Sequence, residues 1–504
     1  MLRSSRRAKL VAAAVAVGAL VVAAVLMSAG GPGGAGQRAA GSAGTGSDTG
    51  EGAAEARAGG SEVQQELSEQ TSERLDAIRE ADAQGIDWRV SSVGSSNPAP
   101  GWVGEQVADP NADDWEPAIA ADPNAPYVYM LTTHFTTKPC PGNCPYPYIS
   151  LFISSNGGST WAPQQPLCAC KGSWQYDPQI EVVPDTGDVY AAFLNGFNVV
   201  FMKSEDNGQH WSAPIPTWGN VSWNDKPALA TSDDGQDVYI SWNGPTGGDP
   251  YVVQSHDGGD TWTQTKLVDS KRYFYAFDAD VLHDGTVAFA ESDIAYTAPG
   301  ANPEGVVKHH VFISRDGGAT WEDHVIDTVD VGEVCIADGC PADFYIGHDA
   351  LSADDEGNLV ALYDGATTDL GPQRIYARTS TDEGLTWSDR TALSVNGENA
   401  TSPAVESQGA GDVRAWYMQT INHDDPDAWN VFYRSSSDGG VHWSPAVKIS
   451  DLSSGAAYKN ADGFDEVYGD YGEIAITNEG RSIATWGEGL SYTGPGGVWF
   501  NRQA

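Results

Sequence analysis

Positive charge is scarce in this chain. Its 504 residues carry 27 Lys and Arg against 69 Asp and Glu, a formal net charge of −42. Such an excess repels phosphodiester backbones and anionic lipid headgroups, which excludes nucleic acid as a partner and confines any membrane contact to a special segment. The acidic balance suits a cation such as calcium, yet no twelve-residue loop of the D-x-[DN]-x-[DN]-G type is present and no metal ligand is assigned. Cysteine is sparse as well, at six residues. Cys335 and Cys340 are near enough for a local disulfide, and Cys140, Cys144, Cys168 and Cys170 allow three pairings. Four thiolates would also suit zinc, but disulfides are the expectation for an exported chain.

Export is indicated by the N-terminus. Arg3, Arg6, Arg7 and Lys9 precede an uncharged apolar run from Leu10 to Met27, so residues 1–29 read as a signal peptide or a single membrane anchor, with the rest of the chain outside the cytoplasm. Residues 30–60 are Gly, Ala, Ser and Thr with few large apolar groups and read as a flexible linker. Residues 61–85 carry a helical stripe of Val63, Leu67, Leu75 and Ile78, with capping-box spacing at Ser61 and Gln64 and a stop at Gly85.

What the chain has in plenty is Gly, at 58, and Trp, at 17, a mixture that favours short strands and tight turns. One eight-residue stretch recurs six times: "SSNGGSTW" from Ser154, "SEDNGQHW" from Ser204, "SHDGGDTW" from Ser255, "SRDGGATW" from Ser314, "STDEGLTW" from Ser380 and "SSDGGVHW" from Ser436. Their starts lie 50, 51, 59, 66 and 56 residues apart by subtraction, a period that means an array of small sheets. Ser and Asp oxygens can take turn amides, Gly can adopt a positive φ, and Trp can anchor the returning strand, so each copy reads as a hairpin.

Between the hairpins a second pattern recurs seven times, from Glu116, Asp177, Lys226, Asp278, His348, Ser402 and Tyr471. The seventh unit ends in "GVWFNRQA" without a fourth strand, while "WVGEQVA" from Trp102 resembles the strands that begin at the repeat tryptophans. The N-terminal strand can therefore complete the last sheet and remove its edge. The expectation is an all-β fold, a seven-bladed β-propeller over residues 95–504. The seven unit starts, with their predecessors Trp115, Tyr176, Asp225, Phe277, Gly347, Thr401 and Asp470, should ring the axial mouth and give a small-molecule or sugar site.

The eight-residue repeat resembles the Asp-box, or bacterial neuraminidase repeat, S-x-D-x-G-x-T-W, of sialidase-like propellers. That resemblance implies a structural role for the boxes, on the face opposite an active site. It also implies a sialidase motif R-I-P-x-L in the first blade, where this chain has Trp115, Glu116, Pro117, Ala118 and Ile119. The arginine is replaced by Trp115, and no arginine stands in either mouth row; Arg374, Arg378, Arg414 and Arg434 fall on middle or outer strands. A carboxylate clamp of three arginines is thus missing. The sialidase nucleophile, a Tyr in Y-x-x-L, has a counterpart in Tyr471, Gly472, Glu473 and Ile474. Sialidases have six blades, one fewer than expected here. If the mouth is a glycosidase, Glu116, Asp177 and Asp278 are the candidate acid and base and Tyr471 the nucleophile or positioning group. Trp115, Tyr176, Asp225, Lys226, Phe277, His348 and Asp470 are the candidate ligand-binding groups. The expected partner is extracellular carbohydrate, with a surface protein as the alternative for a non-catalytic scaffold.

Overall fold

A computed structural model describes Asp76, Arg79, Glu80 and residues 83–85, and then residues 98–504 apart from 137–143, 169, 171–173, 222–223, 245–247, 270–271, 296–304, 333–346, 423–428, 451–455, 458–470 and 490–495. The export segment and linker lie outside the described residues. Within 61–85, the described residues up to Gln84 are helical, and Gly85 follows at a φ of 65°. No helix among the described residues is long and apolar enough to cross a membrane.

From residue 98 onward the chain is all β, and its strands form seven antiparallel sheets. Blade 1 comprises Asp113–Ala121, Val128–Phe135, Tyr148–Ser154 and Gln165–Pro166, and blade 2 Gln175–Val182, Val189–Asn195, Val199–Ser204 and Ile215–Pro216. Blade 3 is Asp225–Thr231, Val238–Asn243, Pro250–Ser255 and Thr263–Lys266; blade 4 is Tyr273–Val281, Val287–Ile294, Val306–Ser314 and Glu322–Asp330. Blade 5 is Asp349–Ala353, Leu359–Gly365, Arg374–Ser380 and Thr391–Ala392; blade 6 is Ala400–Gln408, Asp412–Thr420, Trp429–Ser436 and Val447–Lys448. Each blade packs its innermost strand against the next, and the seventh against the first, so the ring is closed.

The closing sheet joins the two ends of the propeller. Its strands are Glu473–Ile476, Ser482–Gly489, Gly496–Arg502 and, on the outside, Gln106–Val107, with Ala456–Ala457 added beside the far end of Ser482–Gly489. Gln106 pairs with Phe500 and Val107 with Trp499, and Trp102 bridges to Gln503. Trp102 is buried against Tyr433 of blade 6, ring centroids 4.9 Å apart, in a cluster that includes Val107 and Trp499. A strand buried on both faces explains the apolar runs: Val128–Phe135 and Val189–Asn195 sit between neighbouring sheets and carry hardly any exposed side chain.

The six repeated turns join third and fourth strands, and their Ser and Asp (in the first copy Asn156) bonds follow one plan, with the indole bond made in four of them. In "SHDGGDTW" the Ser255 hydroxyl takes the N–H of Gly259 (2.9 Å) and donates to Asp257 Oδ1 (2.7 Å). Asp257 in turn accepts the N–H (2.8 Å) and the hydroxyl (2.7 Å) of Thr261, and Trp262 donates its indole N–H to the Gly259 carbonyl (2.9 Å). His210 and His442 replace that threonine in two copies and bind the same aspartate oxygen through Nδ1, each at 2.6 Å.

The last glycine of each turn has a reason beyond its positive φ. A Cβ there would strike the preceding blade: Gly158 meets Ile483, Gly208 meets Ile153, Gly259 meets the Phe201 ring, Gly318 meets Gln254, Gly384 meets Ile313 and Gly440 meets Thr379. Each turn is therefore a bracket by which one blade docks on the one before it. The arginines on middle strands serve the same outer region. Arg378 and Arg434 donate to the carbonyls of Ser388 and Ser444, just beyond the repeat tryptophans (2.7 and 2.8 Å).

The cysteines follow the expected chemistry where they are described. Cys168 and Cys170 are joined to each other, and Cys144 is disulfide-bonded as well. Cys140, Cys335 and Cys340 lie outside the described residues.

Candidate functional site

The inner strands do not run straight into the mouth. Their pairing to the second strand slips between Trp115 and Ala118, Tyr176 and Gln179, Asp225 and Ala228, and Thr401 and Ala404. At these bulges Glu116, Asp177, Lys226 and Ser402 hold left-handed φ values of 52°, 50°, 48° and 51°. Each is followed by a proline, which has no N–H to give the ladder, so the interruption falls where the sequence cannot pair. A left-handed backbone at a residue with a Cβ costs about 1–3 kcal/mol and persists only where packing imposes it.

Blade 4 differs. Its slip falls between Ala276 and Asp278, and Val281 pairs with Val287 at the closing hairpin. Counting from the closing pairs, Asp278 is level with Ala118 of blade 1 and Glu473 of blade 7, not with Glu116. The hydrogen bonds agree: Asp278 takes the N–H of Leu351 in the next blade (2.9 Å), as Glu473 takes that of Ile119 (2.7 Å). The alignment of Asp278 with the mouth row is thus corrected by two residues toward the interior, because the bulge in this blade is made by Phe277.

An axial cavity of about 440 Å³ runs through the ring, walled by inner strands. Phe277, Asp278, His348 and Tyr471 contribute to it. The Tyr471 hydroxyl reaches from blade 7 to the Pro178 carbonyl of blade 2 (3.3 Å). His348 is set by blades 5 and 6. Asp364 Oδ2 lies 3.1 Å from its Nδ1 and accepts the Thr401 hydroxyl (2.6 Å), while Gln373 binds the other carboxylate oxygen (3.2 Å). The Phe277 ring stands 5.3 Å from the imidazole.

Other residues expected at the mouth are not in this wall. Trp115 is core: its ring packs on Phe135 at 4.7 Å and its indole N–H reaches Asp113 (3.3 Å). Tyr176 lies between Phe135 and Phe197 (6.2 and 6.1 Å). Both precede a bulge residue, and their side chains turn into the seam between blades. Glu116 and Asp177 are buried beside the cavity and joined to each other. Glu116 Oε2 accepts the Thr133 hydroxyl (2.6 Å) and the Asp177 N–H (3.0 Å). Burial pushes all three of Glu116, Asp177 and Asp225 up, Asp177 furthest because the Glu116 carboxylate stands beside it; Lys226 is their counter-charge. Asp470 lies outside the described residues.

Three carboxylates of the cavity's inner strands, Glu181, Asp280 and Glu406, were not among the candidates read from the sequence. Glu181, Asp280 and Glu406 stand on one level, two residues further along the inner strands than Asp278 and Glu473. Burial raises all five, reinforced by mutual repulsion among them: Asp278 to about 7, Asp280 to about 6, and the three glutamates well above the usual carboxylate range. Period-two alternation was the available signal, since Glu181 and Glu406 each follow a pre-proline residue by four positions. At the far end, where the inner hairpins turn, His283 pairs with Asp233 and lies 3.7 Å from Asp355. No Lys or Arg belongs to the wall among the described residues. No group of three or more His, Cys, Asp or Glu is gathered for a metal ion among the described residues.

No protein-family profile matches the chain, and no curated protein matches it. Solved structures do. A protein of unknown function from Dyadobacter fermentans aligns over 80% of this chain and 99% of its own, at 14% identity and a TM-score of 0.44. A PL25 ulvan lyase aligns over 77% and 94%, at 12% identity and 0.45. The NanB sialidase of Streptococcus pneumoniae aligns over 83% and 72%, at 13% identity and 0.43. At this distance the likeness concerns the propeller's outline, and the chemistry must be read from the side chains above.

Proposed function

We propose that this is an exported Asp-box propeller that binds extracellular carbohydrate at its axial cavity. The observation that carries the reading is the cavity itself: about 440 Å³ of axial space with aromatic residues, Phe277 and Tyr471, among oriented polar groups. That combination suits a sugar, whose C–H faces pack on rings while its hydroxyls bond to carboxylates and imidazole. The solved neighbours include sialidases and a polysaccharide lyase, and the Asp-box resemblance points the same way. The cavity wall has no arginine, which argues against a sialic acid clamp. The N-terminal basic-then-apolar segment would deliver the propeller to the outside and, uncleaved, tether it there.

Hydrolysis is a second reading, favoured by Asp278. A carboxyl with a pKa of about 7 is half protonated at neutral pH, as a general acid requires, and Glu473 stands on the same level of the wall. Glu116 and Asp177, off the wall, would then support the mouth. The test is a glycan array probed with the full chain, with calcium and with chelator, followed by turnover assays on whatever binds. Binding that Tyr471→Phe or Asp278→Asn weakens, with the variant still folding cooperatively, supports the reading. No glycan retained, and a protein partner recovered instead, makes the propeller a recognition scaffold.

A further inference from the structure

The axial wall is rich in acceptors and, among the described residues, has no cationic side chain apart from its histidines. Five carboxylates from four blades face one space, and among the described residues no cation offsets Glu181 or Glu406: burial and neighbouring carboxylates raise both. Arg414 stands opposite Glu406 in the sheet, but its guanidinium turns to Asp412, at 2.6 and 2.7 Å. Two further wall groups independently signal a missing donor. Ser402, 2% exposed and held in a left-handed bulge, has an Oγ with no hydrogen-bond partner, and Asp349, 7% exposed, accepts His309 Nδ1 at its Oδ1 (2.6 Å) while its Oδ2 has no partner. Buried oxygens of this kind are costly unless something donates to them.

Resting on the carbohydrate reading, we infer that the ligand is a polyamino sugar, a saccharide carrying free ammonium groups. An ammonium presents three donors and no acceptor, the complement of a carboxylate-rich wall. A single metal ion fits less well, because the acids are spread along two levels instead of being gathered into a cage. Successive amines along a chain match that spread, and burial strengthens each ammonium–carboxylate contact relative to water.

The experiment is titration calorimetry of the full chain with a glucosamine tetrasaccharide, its fully N-acetylated form and a uronic-acid tetrasaccharide. The free amine should bind at least tenfold tighter than the acetylated form, and the uronate should not bind. The double variant Glu181→Gln, Glu406→Gln, its fold verified by its melt, should erase the preference and leave residual binding of the acetylated sugar. Equal affinity for amine and acetamide, or a preference that survives the double variant, overturns the inference and leaves the carbohydrate reading standing. Failure of every glycan, on the array as in the calorimeter, removes both.

Discussion

Deleting Trp102–Ala108 should break the ring at one place, and its cost can be estimated from the closing sheet. Trp102 and Val107 are 5% and 8% exposed, and together they bury roughly 300 Å² of mostly apolar surface. At about 25 cal/mol per Å² that is ~7 kcal/mol, or ~5 after allowing for a denatured chain that is already partly collapsed. The backbone bonds Val103 N–H to Arg502 (3.1 Å) and Ala108 N–H to Val498 (2.8 Å) go as well, and the strand Gly496–Arg502 becomes a bare edge. Against a usual stability of about 5–15 kcal/mol, this is a third or more of the whole. Urea unfolding followed by tryptophan fluorescence should show the midpoint falling by at least a third. Trp102→Ala alone should cost about 3–5 kcal/mol, and Leu385→Ala, at an exposed turn, less than about 0.5. A deletion variant with the parental midpoint would refute the closure.

Other tests address the brackets and the buried charge. Gly258→Ala and Gly259→Ala both pay for a positive φ, about 1 kcal/mol, but only the second drives a methyl into the Phe201 ring, so its urea-derived loss should be greater by about 1–3 kcal/mol. Asp278 has a folded pKa raised to about 7, so the folded state holds a proton that the unfolded chain releases. Stability should therefore fall as pH rises from about 4 to 7, and Asp278→Asn should flatten that slope by several kcal/mol, read from urea midpoints across the range. His310, raised to about 9 with Asp293 and Asp323 against it, contributes stability that is full below about 6.5 and lost as pH rises through 9; His310→Gln should remove that alkaline limb. Lys226→Met strips three buried carboxylates of their cation and should cost about 3 kcal/mol or more at pH 8 and less at pH 5, again by urea midpoint.

The architecture was legible because propeller blades are local: each is one consecutive run, so period and turn chemistry repeat in the chain as they do in space. The closing strand was legible too, since the seventh unit visibly lacks a partner that the segment from Trp102 can supply. The site was less so. Strand-end alignment misplaced Asp278, because the blade 4 bulge is made by Phe277 without a proline to mark it. Trp115 and Tyr176 went astray for a related reason: sequence gives their position in the strand but not the side to which a bulge turns them. Asp364, which orients His348, sits on a second strand, and nothing in a linear pattern links two residues whose contact is made across a hairpin.

The bond from the Gly104 N–H to Asn501 spans 397 positions of chain. The strand that carries Asn501 leaves the ribosome long after the one it must meet, so the ring's closing pair is late to form. A truncation that removes Gly496–Arg502 would therefore orphan Gln106–Val107, a strand made far earlier.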